Sequence, residues 1–141
     1  MTKAPEGYDA FDEEGTFIGV LGPVYLKRLG DRTVTYLELD ERHTNPMGVA
    51  HGGLLMTLLD ITLGSTAGAK IDHVGVYPTI QLNCNFLRGA KLGDVVEGRA
   101  EVTRLSRTLA FVSGQLEVGG QPIATATAVF RNPPGVEIPR S

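Results

Sequence analysis

The chain has 141 residues, enough for one domain with a sizeable core. Hydrophobic residues make up 42% and charged residues 21%, which excludes a disordered chain, a collagen-like repeat and a coiled coil. Thirteen basic against sixteen acidic residues give a net charge of -3, so no positive field exists to attract nucleic acid. No apolar stretch approaches the roughly 20 residues of a membrane helix, so no membrane partner is expected. The first ten residues carry no signal-peptide core, and Cys84 has no second cysteine to pair with. Both features fit a reducing, cytoplasmic location.

Residues 1–15 are polar and broken by Pro and Gly, and they predict a flexible N-terminal arm. Residues 11–22 fit either a short helical turn or coil. The domain is expected over 16–132, with 133–141 as a flexible Pro-containing tail. Pro23–Leu29 and Thr33–Asp40 are β-prone runs joined by Gly30-Asp31, a hairpin signal. His51 to about Lys70 lacks a period of two, and its leucines cover most of a helical circumference. Such a helix is buried. Thr79–Arg88 then alternates, with Ile80, Leu82, Cys84 and Phe86 expected on the core face. Val95–Leu105, Thr108–Val118 and Ile123–Arg131 complete the strands, the last two joined at Gly119-Gly120. Five or six strands with short turns predict an antiparallel sheet in an α+β domain. One central helix suggests that the sheet curls around it.

Two features before and within the helix could carry chemistry. Gly52 and Gly53 stand at its start, where backbone N–H groups are free and the dipole end is positive. Without Cβ atoms they let a ligand oxygen approach, as an oxyanion hole requires. Asp60 stands alone among leucines, and a carboxylate there must be paired, neutralised or used. No Lys or Arg lies one helical turn away to pair with it. Eight residues separate Gly52 from Asp60, roughly 12 Å along a helix. Both can act on one carbonyl only if they come from different subunits, which predicts a dimer with two shared sites. His43, His51 and His73 do not make a metal set, because their spacing is wrong and no cysteine joins them. Ser65 lies in a Gly-Ser-Thr-Ala-Gly run that is not a nucleophile elbow.

The run Asn45-Pro-Met-Gly-Val-Ala-His51-Gly52-Gly53, followed by Asp60 and by Thr79–Gly93, resembles the hotdog-fold acyl-CoA thioesterases. It is most similar to their phenylacetate-degradation-type subgroup, and the resemblance covers about Val34 to Phe130. It implies a curved antiparallel sheet wrapping one long helix, and dimers with interfacial sites that often pair into homotetramers. The substrate implied is an aryl- or fatty-acyl-CoA, with no metal and no cofactor beyond the coenzyme A of the substrate. By the same resemblance the Gly52 N–H polarises the thioester carbonyl, while Asn45 and His51 orient it and shape the loop. Asp60 of the other subunit acts as general base or nucleophile, and Thr79 contacts the water or the carboxylate. Gly53, Arg88, Arg104, Ser106, Arg107 and Thr108 would hold the substrate, the last five at its nucleotide and phosphates. The alternatives are a non-catalytic acyl-CoA binding or regulatory module and an enoyl-thioester hydratase on the same fold.

Overall fold

A computed structural model describes residues 3–11, 14–73 and 77–138. Parts of both expected flexible ends, residues 1–2, 12–13 and 139–141, lie outside the described residues. Seven strands form one antiparallel sheet: β1 (Asp9–Phe11), β2 (Val24–Leu29), β3 (Arg32–Glu38), β4 (Thr79–Phe86), β5 (Val95–Leu105), β6 (Leu109–Val118) and β7 (Gln121–Arg131). Their order across the sheet is β1-β2-β3-β5-β6-β7-β4. A four-residue helix α1 (Phe17–Val20) precedes β2, and a long helix α2 (Gly52–Lys70) precedes β4. A 3-10 turn, Glu41–His43, follows β3.

The helix is buried as its leucine pattern predicts. Leu58, Leu59 and Leu63 are sealed against Val96, Val112, Leu116 and Phe130 of the sheet. Each such side chain contributes about 2 kcal/mol of burial. Threonines fix where α2 lies on β3. The Thr62 hydroxyl donates to Leu58 O at 2.7 Å, so the Thr35 hydroxyl must donate to Thr62 across their 2.7 Å contact. Thr66 Oγ1 bonds both the N–H and the carbonyl of Thr33. A side chain at Gly98 would collide with both the Thr35 and Thr62 hydroxyls. That glycine therefore permits the helix-to-sheet approach.

The two hairpins form where their glycines predict. Gly119 and Gly120 both have positive φ, as a two-residue turn between twisted strands requires. Three expectations need correction. The sheet has seven strands rather than five or six. The extra one, β1, lies inside the span expected to be a flexible arm, because Asp9–Phe11 add a ladder to the free edge of β2. Of the two readings of segment 11–22, the short helical turn is the one found: it contains α1, whose first turn is capped by the Thr16 hydroxyl. On β4 only Leu82 and Cys84 pack against the core, whereas Ile80 is 53% and Phe86 51% exposed. A register shift near its start and its place at the sheet edge account for this. Among the described residues no helix is long and apolar enough to cross a membrane.

Candidate functional site

The loop before α2 is built by its own side chains. Asn45 Oδ1 accepts from Met47 N–H at 2.9 Å and Val49 N–H at 3.4 Å, and the Asn45 N–H donates to Val49 O. This is a side-chain-closed turn. Ala50 N–H then donates to Ala90 O, which ties the loop to the segment after β4. His43 supports it from below: its buried ring accepts from Asp40 N–H at Nδ1 and contacts Leu21 O through Nε2. The Arg42 side chain bonded to Asp40 holds that carboxyl below its ordinary range. The His51 N–H donates to His43 O and delivers the chain to the helix start.

His51 is the N-cap of α2. Its Nδ1 accepts from Gly53 N–H at 2.8 Å, so that nitrogen carries no proton. This corrects the expectation for Gly53, whose N–H is occupied and cannot serve a substrate oxygen. The Gly52 N–H has no partner among the described residues. An added Cβ at Gly52 would lie 3.7 Å from the Phe86 ring, so that ring walls the free donor. Because the His51 ring is a cap, His51→Ala is expected to destabilise the protein by about 1 kcal/mol in urea unfolding. His51→Asn should restore most of that loss, since an Asn side chain also accepts at an N-cap.

Asp60 is half-buried and faces a groove rather than the sealed core. Thr79 opens β4 and donates its hydroxyl to Asp60 Oδ1 at 2.7 Å. Asp60 makes no ion pair with any described residue, and its second oxygen is free. Burial pushes the Cys84 thiol up, and the Asp60 charge adds to it. Cys84 is half-buried and packs against the core cluster. Among the described residues no three His, Cys, Asp or Glu side chains are placed to hold a metal.

The remaining residues divide between the two ends of the sheet. Phe86 pairs with Ala124 and Thr79 with Phe130, six residues apart on β7 and roughly 20 Å along a strand. Arg88 follows Phe86 and bonds Gln121 Oε1 at the first end. Arg104, near the end of β5, and Ser106, Arg107 and Thr108 of the β5–β6 turn lie at the Thr79 end, where Leu109 pairs with Arg131. The Ser106 hydroxyl is spent on Leu109 N–H, and its carbonyl accepts from Asn132 Nδ2. Arg104 and Arg107 are exposed and make no ion pair among the described residues. Within one chain, then, the structure joins Asp60 to Thr79 and His51 to Gly53. It keeps Gly52 and Arg88, at the Phe86 end of β4, apart from Asp60 and Thr79. Sequence reasoning missed Phe86 as the wall beside Gly52, and Ile18 of α1, which faces Asp60. Only the exposure of two large side chains, Phe17 and Val20, marks α1 as more than a linker.

A free helix-start N–H and an anchored carboxylate with an open oxygen are the parts of a site for acyl transfer or hydrolysis. The family model of the thioesterase superfamily matches residues 47–124. The chain belongs to that superfamily, and it is a thioester hydrolase of hotdog fold. A Pseudomonas aeruginosa protein bearing an esterase name is 34% identical over 134 residues, 94% of this chain and 100% of that one. Human acyl-coenzyme A thioesterase 13 is 30% identical over 108 residues, 76% of each chain. The crystal structure of a phenylacetic acid degradation-related protein from Ralstonia eutropha superposes with a TM-score of 0.72. It is 29% identical and covers 81% of this chain and 87% of that one.

Proposed function

We propose that the protein hydrolyses an acyl-coenzyme A thioester to the free acid and coenzyme A, at two sites shared between the subunits of a dimer. The observation that carries this reading is the direction of β4. It is a sheet edge with an unpaired ladder, and Ile80, Phe86 and Leu87 are exposed along it. Its Thr79 end holds Asp60 and its Phe86 end holds Gly52. Antiparallel pairing of β4 with its own copy brings the Asp60 end of one protomer to the Gly52 end of the other. The same operation brings Arg88 of one protomer toward Arg104 and Arg107 of the other, a set of guanidinium groups for the phosphates.

Thr79 occupies Oδ1 of Asp60, so Oδ2 takes a proton from water as that water attacks the thioester carbon. The carbonyl oxygen gathers negative charge and is held by the Gly52 N–H of the partner subunit. Collapse of the tetrahedral intermediate breaks the C–S bond and expels coenzyme A as its thiolate, and the proton on Asp60 passes to that thiolate or to solvent. A thiolate leaves readily, so the scheme balances with water alone and invokes no metal or cofactor. Asn45 and His51 hold the loop and the helix start in place. The His51 ring is committed to Gly53, which argues against a hydratase that would use it as a base. Coenzyme A as the carrier is supported by the human relative's name, and the single Cys84 fits a cytoplasmic location.

The test is colorimetric thiol release from a panel of aryl- and fatty-acyl-CoAs. Turnover of at least one is expected. Tight binding of the same thioesters with no thiol released would put the non-catalytic binding module in its place.

A further inference from the structure

A groove of about 580 Å³ begins at Asp60 and runs along α2 away from Gly52. Its volume lies within the range of small-molecule sites. The helix face that lines it is Asp60, Ile61, Gly64, Ser65, Gly68 and Ala69, positions that recur at helical spacing. Past Ile61 every one of these side chains is small, so the groove stays open along the helix. The outer wall is Phe11 of β1, Ile18 of α1 and Leu26 of β2. All three lie before residue 47, where the match to the superfamily begins. The wall therefore lies outside the part of the chain that the superfamily model matches.

Among the described residues His73 and Tyr77 bound the far end. A Cβ at Gly68 would lie 2.9 Å from His73 O and 3.1 Å from the Tyr77 ring, so Tyr77 packs directly on the helix backbone. The Tyr77 hydroxyl is turned to His73 O. Arg28, the one cation in the lining, is already bonded to Asp72, Gly30 O and Ala69 O. At that end the Tyr77 ring is an apolar stop beside His73, whose buried Nδ1 has no partner among the described residues.

From Asp60 to Ala69 is nine residues, roughly 13 Å of helix. We propose, resting on hydrolysis at Asp60, that this groove takes an unbranched acyl chain of about eight to ten carbons, with Ser65 and Ile18 setting the accepted length. An arylacetyl group spans about half the groove and would leave the far half without contacts.

The experiment is thiol release by the intact protein from straight-chain acyl-CoAs of increasing length, acetyl to palmitoyl, beside benzoyl- and phenylacetyl-CoA. kcat/KM is expected to rise by up to about fourfold per added methylene, peak at octanoyl or decanoyl, and fall for longer chains. Ser65→Leu fills the groove midway. The Ser65 hydroxyl bonds no described residue and Leu favours a helix, so the fold should hold. Its optimum should move about two to four carbons shorter, with decanoyl-CoA losing more kcat/KM than butyryl-CoA. Ile18→Ala, a second variant outside the helix, should raise KM for decanoyl-CoA more than for butyryl-CoA. A wild-type optimum at an aryl or acetyl thioester overturns the proposal, and so does a Ser65→Leu profile that superposes on the wild type. If no thioester is cleaved, the hydrolysis reading fails and calorimetry decides the groove separately. Tighter binding of decanoyl- than butyryl-CoA, weakened by Ser65→Leu, upholds it, and equal binding overturns it.

Discussion

Asp60→Asn is expected to lower kcat for thiol release by on the order of a hundredfold or more, with the fold intact. The substitution keeps shape. An Asn amide oxygen can still accept from the Thr79 hydroxyl, which now lies 2.7 Å from Oδ1. What is lost is the basicity of the second oxygen, which no side chain can replace: no other carboxylate faces this groove among the described residues. The loss should therefore fall on kcat and spare KM. Thr79→Val gives the complementary result. It leaves the carboxylate charged but unanchored, and removing a hydrogen bond to a charged group predicts about a tenfold loss. Equal rates for wild type and Asp60→Asn would leave the hydrolysis standing and remove Asp60 from it.

The parts of this site were unequally legible in the sequence. α2 was plain, because a run of leucines covering most of its circumference has no other stable home than inside a sheet. Gly52 and Asp60 were visible because each breaks a local rule: a glycine opening a helix, and a lone acid in an apolar run. The Thr79–Asp60 bond was not visible from strand pattern, since a threonine opening a strand is an ordinary β-former. Only the family resemblance pointed to it. The division of labour at the helix start was hidden too. Sequence offers two glycine N–H donors, but the ring of His51 takes the second, and ring orientation is not written in residue order. β4 misled for a related reason. Its alternation predicts two faces, yet its place at the sheet edge leaves Ile80 and Phe86 uncovered in the monomer. Alternation reports which side chains share a face, not whether anything lies on that face. β1 escaped, and α1 stayed one of two readings, because three and four residues are too few for any periodicity to show.

Gly52→Pro is expected to remove activity by on the order of a hundredfold or more without unfolding α2, whereas Gly52→Ala should stay near wild type. Residue 52 is the first helical position, where proline is favoured because its missing N–H has no helical partner anyway. His51 already has φ -64° and ψ 136°, the extended geometry that a residue before proline adopts. Alanine at 52 keeps the N–H, and its Cβ would meet the Phe86 ring at 3.7 Å, an ordinary contact. The pair of variants thus separates the donor from the side-chain space. Mixing then tests the shared site. Protomers carrying Asp60→Asn and protomers carrying Gly52→Pro are each inactive alone. In a mixed dimer one site combines both defects and the other has neither. Random exchange should therefore restore about a quarter of wild-type activity, from half the dimers with one of two sites working. A site contained within one chain would restore nothing, since every protomer in the mixture carries a defect. That outcome would return Gly52 and Asp60 to separate roles, against the roughly 12 Å of helix between them.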